Sequence, residues 1–535
     1  MAIDIIRSAR RGAPRIRYAA TLAAFALLGG CATFNPAQDA PHINALLDER
    51  GARSAGWERN GATADAAQVR AWLAQPMSAD LAVRVAMLRS PRLQRTFGQI
   101  GLARADVLQA LTVANPRFTL ERLPLDSGPG TQLGLGLVAP LVDLLVAPAR
   151  HRLARMEYER ARYAIAAGII NVSLDVEADW YRYVGAQQVA DMRAASANAL
   201  KASADLAQRF FDAGNISELQ LAREQAAASE ARIAAARAAV DARLARLDLN
   251  TAIGLTGAET EWRASAVLPL PVAKEDDPAE LRRIASTSNL DLLAARKEEA
   301  ITAGSARITK AFRLLGGTEI GYYREEGVDR SVIRGPTLSL ELPIFNQGGA
   351  RVARAVAQLQ LARARLAELE LTTGNTVDLS EERVRVFSDI VRVYREALVP
   401  QREVVAKRSQ DEEDYMFIGE FEVLLAKTQE YDAYQGFLQA VRDYWLARVD
   451  LMRVVGSRLP SERQVSANTP SVQEILTPPP PAPMHMGGGG MASMDHSAHG
   501  ATPAAPTPHY HSAMDGMAMP PPAPAPQHHH GGVHP

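Results

Sequence analysis

Leu133, Leu135 and Leu137 alternate with Gly134 and Gly136, and much later Leu338, Leu340 and Leu342 alternate with Ser339 and Glu341. A period of two gives one apolar face and one small or polar face, as a barrel strand needs. Each run has a second strand candidate beside it, so the pattern predicts strands over 116–123 and 131–140, then over 317–324 and 334–343. Turn-rich segments, Pro124 to Gly130 and Glu325 to Asp329, separate the members of each pair. Elsewhere the periodicity is helical. One helix precedes each strand pair, Asp80 to Val113 and Pro278 to Phe312, and a long one follows, Ala147 to Asp212 and Gly349 to Met416. At a rise of ~1.5 Å per residue each long helix spans about 100 Å. Gly374-Asn375 is a candidate break in the second. Glycine turns at Gly214-Asn215-Ile216-Ser217 and at Gly419 reverse the chain, where glycine accepts a left-handed conformation. Ser217 with Gln220 resembles a capping box that starts a return helix, and the return helices run to Gly254 and Gly456.

The chain therefore repeats itself. Leu135 to Leu141 matches Leu338 to Ile344, Arg150 matches Arg351, and Phe211 to Gly214 matches Phe417 to Gly419 with one residue fewer. Ala245-Arg-Leu-Asp248-Leu matches Ala447-Arg-Val-Asp450-Leu, and Gly254 matches Gly456. A return helix plus the short first helix has about the length of one long helix, so two short helices stacked end to end would lie beside each long one. Alanines such as Ala226, Ala227, Ala234 and Ala238 allow close approach of the backbones. The expected fold is mainly α with a small β part: long hairpins plus four strands, internally duplicated. The layout is a leader over 1–30, an N-terminal segment over 31–78, repeat 1 over 79–256, a linker over 257–277, repeat 2 over 278–457 and a disordered tail over 458–535. A solenoid or filament coiled coil would leave the paired strands unexplained.

Composition supports closely packed helices. Aromatics are 6% of the 535 residues, charged residues are 22%, and the net charge of −1 gives no basic excess that would point to nucleic acid. The single cysteine, Cys31, cannot form an internal disulfide. It follows a basic start (Arg7, Arg10, Arg11, Arg15, Arg17), a short apolar run from Tyr18 and the small residues Leu28-Gly29-Gly30. That is a secretory signal, too short to span a membrane, and its ending resembles a lipobox, which implies cleavage before Cys31 and lipidation of its thiol. An ordinary signal peptide with an incidental cysteine is the other reading. No later apolar run reaches the ~18 residues of a spanning helix, so a membrane crossing would have to be a β-barrel.

No phosphate loop, HExxH or spaced cysteine ligands occur, and no catalytic constellation is legible, so the chain does not read as an enzyme. The tail differs in kind. Nine of the eleven histidines lie there, His485, His496, His499, His509, His511, His528, His529, His530 and His534. Seven methionines accompany them, Met484, Met486, Met491, Met494, Met514, Met517 and Met519. Thioether and imidazole together suit Cu(I) and Ag(I), and imidazole suits Cu(II). A spacer or a leftover purification tag is the other reading, but three consecutive histidines are too few for a usual tag and methionine has no role in one. No cofactor is required elsewhere.

Gly335-Pro336 through Leu342-Pro343-Ile344-Phe345-Asn346-Gln347-Gly348-Gly349 is similar to the signature stretch of TolC-like outer membrane factors. The resemblance covers about Asp80 to Gly456. The copy-one counterpart, Pro140 to Pro148, departs from the Pro-Ile-Phe-Asn-Gln-Gly form. What the family implies is a homotrimer in the outer membrane of a Gram-negative bacterium, held by a shared twelve-stranded transmembrane barrel and, here, a lipid anchor. The helices form a periplasmic duct, and Gly214 and Gly419 mark tips that face a periplasmic adaptor (membrane fusion protein) and an inner-membrane pump. In such a trimer Asp411, Glu412, Glu413, Asp414, Glu420 and Glu422 would stack as acidic rings at the entrance, which favour cations. The family's own acidic rings lie on the return helix, where Val423 to Gln429 carries none, so a solvated tip is the alternative. The functional expectation is an exit duct of a tripartite efflux system for copper or silver. A drug or type I secretion duct, and, from other classes, a periplasmic adaptor or a copper-binding protein, stay open. Cys31→Ser should remove the acyl anchor and leave the barrel able to form; mass spectrometry that finds Cys31 unmodified in the mature protein would contradict the lipobox.

Overall fold

A computed structural model describes residues 40–52, 62–112, 115–124, 126, 130–265, 267–315, 317–465 and 467–477 of the chain. Among the described residues four helices come first, α1 (Ala40–Glu49), α2 (Ala62–Leu73), α3 (Ala79–Arg89) and α4 (Pro91–Leu111), then strands β1 (Arg117–Pro124) and β2 (Thr131–Pro140). Helix α5 (Leu141–Asp212) runs 72 residues without interruption, and α6 (Glu218–Ile253) returns beside it. The second copy repeats the order with α7 (Pro278–Ser288), α8 (Leu290–Ala311), β3 (Glu319–Glu326), β4 (Val332–Ser339), α9 (Gly349–Val393), α10 (Val399–Asp414) and α11 (Glu420–Val455), and a short α12 (Val472–Leu476) follows. The four strands form one antiparallel sheet in the order β1-β2-β3-β4.

Helix α5 packs against both α6 and α11, and α11 packs in turn against α9. The core lies where α5 and α11 cross the middle of the helical region. Tyr181 stacks on Trp445 with ring centroids 5.4 Å apart, and Trp180 and Tyr444 meet these rings edge-on. Gly185 lets α11 approach, because a Cβ there would lie 2.7 Å from Cδ of Arg442.

The end-to-end stacking is visible at two glycines. Gly254 caps α6 at φ 78°, and the space for its missing Cβ is filled by the Arg89 carbonyl and by Pro91 at the α3–α4 junction. Gly456 caps α11 at φ 75°, and a Cβ there would lie 2.7 Å from Cα of Asn289 at the α7–α8 junction. Only glycine meets both demands, a left-handed cap and backbone contact. Asn289 completes the second joint by donating to the Val454 carbonyl at 2.9 Å while it caps α8.

Several expectations are corrected. Each short first helix is two helices. Pro91 cannot donate and starts α4 after Ser90, and Asn289 ends α7 and caps α8. The second long helix does not break at Gly374-Asn375, which is helical throughout. It widens instead into a π turn at Tyr394–Leu398, just before Pro400 removes a helical donor. The chain also stays ordered past 458. Leu459, Val472 and Ile475 are buried, and Pro269 pairs with Asn468 in an isolated antiparallel bridge.

The repeated Ala-Arg-x-Asp motif now has a physical role. Arg246 donates to the carbonyls of Thr260 (2.8 Å) and Trp262 (2.7 Å) and lies over the Trp262 ring. Arg448, fully buried, pairs with Glu275 and donates to Ser461 Oγ at 2.9 Å, while Tyr444 donates to Glu275 at 2.6 Å. Each arginine thus clamps linker segments onto a return helix. Burial outweighs Arg448 and holds the Glu275 carboxyl above the usual carboxylate range. Arg448→Ala strips this carboxylate of its cation, which should cost about 3 kcal/mol; Arg448→Met, which keeps the volume, should cost less. Thermal unfolding followed by circular dichroism should rank wild type above Arg448→Met above Arg448→Ala, and equal midpoints would contradict the clamp.

Candidate channel-forming site

The sheet has two unlike faces, fixed by register. Phe118 lies opposite Leu137, Leu137 opposite Tyr322, Ile320 opposite Leu338, and Leu120 opposite Leu135, so these residues share one face. Phe118, Leu120, Leu137, Ile320, Tyr322 and Leu338 are all exposed. The other face carries Arg117, Thr119, Glu121, Gln132, Glu319, Tyr323 and Glu325. Tyr323 lies across Gly134 and Gly136, where any Cβ would collide with its ring or with Thr119, and its hydroxyl donates to Glu121 at 3.3 Å. The glycines between the leucines are therefore the floor under an aromatic ring, which braces the sheet. Gln132 donates to Glu325 and Arg117 pairs with Glu319 on this polar face. The arrangement has the two sides of a membrane barrel, apolar outward and polar inward.

At the opposite end of the long helices two turns reverse the chain. In the first, Gly214 has φ 77°, its N–H reaches the Phe211 carbonyl, and Ser217 Oγ accepts from Gln220 N as the N-cap of α6. In the second, Met416 has φ 60°, its N–H reaches the Glu413 carbonyl, and Gly419 is the extended N-cap of α11. Gly214 corresponds to Met416 and Ser217 to Gly419, both at the spacing of 202 residues that separates Gly254 from Gly456. The expectation of a left-handed Gly419 is thus corrected: the glycine stands at the cap, and a methionine takes the strained position. Phe210 and Phe421, ring centroids 6.0 Å apart, pack the two turns together.

The acidic residues surround the second turn. Asp411 pairs with Arg408 at 3.1 Å, and Gln410 donates to Glu413 at 2.9 Å and to Asp414 at 3.5 Å. Glu412, Glu420 and Glu422 are exposed, and Glu413 and Glu420 line a shallow cleft of about 420 Å³ with Arg209. Tyr415, Met416 and Phe417 stand exposed at the apex, at 76%, 92% and 79%, whereas the first turn presents Ala213, Gly214 and Asn215. Aligning Gly214 with Gly419 hides this apolar knuckle, whereas the constant spacing of 202 residues sets Met416 at the left-handed position. Cys31 and the tail's histidines and methionines lie outside the described residues. Among the described residues no helix is long and apolar enough to cross a membrane, and no three His, Cys, Asp or Glu are grouped as metal ligands.

No protein-family profile and no curated protein match the sequence. Solved structures do match the fold. A membrane protein from Pseudomonas aeruginosa is 18% identical with a TM-score of 0.59, over 72% of this chain and 95% of that one. The CmeC outer membrane channel of Campylobacter jejuni is 12% identical with a TM-score of 0.60, over 74% and 88% of the two chains. The outer membrane protein VceC of Vibrio cholerae is 13% identical with a TM-score of 0.59, over 73% and 97%. The chain has the fold of TolC-like outer membrane channels, long helices joined to a β-barrel part.

The two turns predict substitutions of opposite sign. Met416→Gly should relieve left-handed strain by about 1 kcal/mol, net of the entropy glycine adds to the unfolded chain. Gly214→Ala should cost about 1 kcal/mol or more. Amide hydrogen exchange should slow at 412–417 in the first variant and quicken at 211–217 in the second; faster exchange in Met416→Gly would contradict the strain assigned there.

Proposed function

We propose that the chain is one third of an outer-membrane exit duct of a tripartite efflux system, and that the exported species are heavy-metal ions, copper or silver. One observation carries the duct: a four-stranded sheet whose outer strands β1 and β4 each pair on one side only, with an apolar outward face. In hydrocarbon an unpaired edge leaves amides unsatisfied, and closure into a barrel removes it. A ring of copies, with β4 of each beside β1 of the next, satisfies both edges; the resemblance sets their number at three.

The helices support the same ring. On the α6 flank Ile233, Val240, Leu244 and Leu247 are exposed, and on the α9 flank Leu379, Val386, Ile390 and Val393 are. Both stripes follow the spacing seven, four, three, which is the seam of a coiled coil. Two different self-recognising surfaces on opposite flanks make a head-to-tail contact, which closes into a ring when the rotation permits. The turns with Gly214 and Met416 then point away from the membrane, where the knuckle of Tyr415 and Phe417 with its acidic rim meets the periplasmic adaptor that leads to the inner-membrane pump. Lipidation at Cys31 adds an anchor. The metal assignment rests on the tail's methionines and histidines, whose imidazoles bind when deprotonated, so that metal capture weakens as pH falls through ~6.5.

Leu244→Arg places a charge in the α6 seam and should abolish the trimer on cross-linking while the monomer keeps its helical content; undiminished trimer would contradict the seam. A strain whose chain ends at Thr477 should assemble normally and lose part of its copper and silver tolerance. Unchanged metal tolerance there, together with no Cu(I) or Ag(I) bound by the full-length protein, would remove the metal assignment and leave a duct for drugs or secreted proteins.

A further inference from the structure

The outward face of the sheet is not apolar along its whole height. Register places Arg324 directly opposite Arg334, in one row with Leu120 and Leu135. Arg122 stands in the next row toward the hairpin ends, with Leu133, Glu326 and Val332. All three arginines therefore share the face of Phe118, Leu137, Tyr322 and Leu338. Glu326 pairs with Arg324 at 3.4 Å, but among the described residues neither Arg122 nor Arg334 has an acidic partner. Both are exposed. The carboxylates of Glu121 and Glu325 lie on the opposite face and cannot serve them.

Like charges directly opposite on adjacent strands oppose the pairing that brings them together. An arginine facing lipid is also costly at mid-membrane and nearly neutral only at the headgroup level. Both constraints are met if the rows of Arg324 and Arg122 lie among anionic headgroups. Guanidinium forks bind phosphate oxygens in pairs, and one phosphate between Arg324 and Arg334 would turn their repulsion into a shared attraction. Below them, Leu120, Leu135, Phe118 and Leu137 continue the same face and match acyl chains, which free phosphate lacks.

We infer that Arg122, Arg324 and Arg334 form a binding site for the phosphates of an anionic lipid headgroup in the leaflet at the hairpin ends of the strands. The inference rests on the barrel reading above. It is tested with the full-length protein in detergent, offered lipid A, lipid A stripped of its phosphates, or inorganic phosphate, with bound ligand read by native mass spectrometry. Wild type should prefer phosphorylated lipid A over the stripped form by about a hundredfold, at about one basic residue's attraction for each of three arginines. The triple variant R122Q/R324Q/R334Q should lose that preference, and R122K/R324K/R334K should recover part of it. Inorganic phosphate should not displace the lipid at matched concentration. Equal binding of stripped lipid A, an undiminished preference in the Gln variant, or displacement by inorganic phosphate would each overturn the site. Insertion into phosphatidylcholine vesicles separates the two claims: failure of the wild type to insert would overturn the barrel, and insertion without lipid A preference would overturn only the site. If the triple variant fails to insert, Arg334→Gln alone, which breaks no ion pair, should still show a several-fold loss, and none would overturn the proposal.

Discussion

A sheet cannot stop in hydrocarbon. Each edge strand presents donors and acceptors that lipid does not satisfy, at a cost of several kcal/mol for every group. Strands β1 and β4 impose this constraint on the whole chain, because four strands are too few to close on themselves around a channel. The duplication places two hairpins side by side, and in the proposed ring neighbouring copies would finish the closure. The long helices follow from the same requirement. Each strand pair stands on one long and one composite helix, so in the proposed ring the flanks between copies would run the length of the chain's helical region.

The joints at Gly254 and Gly456 make this geometry workable. One long helix can be faced by two shorter ones only if those meet without a gap, and a left-handed glycine against the Arg89–Pro91 or Asn289 backbone achieves that. The same level holds Arg246 and Arg448, which tie the linkers to the return helices. Below it the copies differ. The second long helix carries the π turn at Tyr394–Leu398, with the Tyr394 ring over Gly436, and ends in the apolar knuckle of Tyr415 to Phe417. The first hairpin has neither, so the duplicated halves share a scaffold and differ in the stretch that leads into the turn.

Much of this was legible in the residues. The alternation at Leu133 to Leu137 gave β2 at its observed limits, Thr131–Pro140, because period two on a half-exposed sheet has no helical alternative. The breaks were harder. Ser90-Pro91 and Asn289 carry helix-start signals inside runs whose helical periodicity continues across them, and the glycine at 374 is one that a packed helix tolerates. Contacts between distant segments leave no local trace. Nothing near Arg448 announces Glu275 or Ser461, and the order of 458–465 and 467–477 comes from burial of Leu459, Val472 and Ile475. The Arg324–Arg334 pair likewise emerges only once register is known.

The central claim is that β1 of one copy lies beside β4 of another, and intermolecular disulfide cross-linking tests it most directly. Single cysteines along Phe118 to Leu123, each combined with single cysteines along Ile333 to Leu338, would be oxidised in full-length protein within a bilayer. The account predicts covalent products between chains, with an alternating pattern along both strands, that end at three linked chains. Cross-links confined within one chain, or none in protein whose helices are intact, would contradict it.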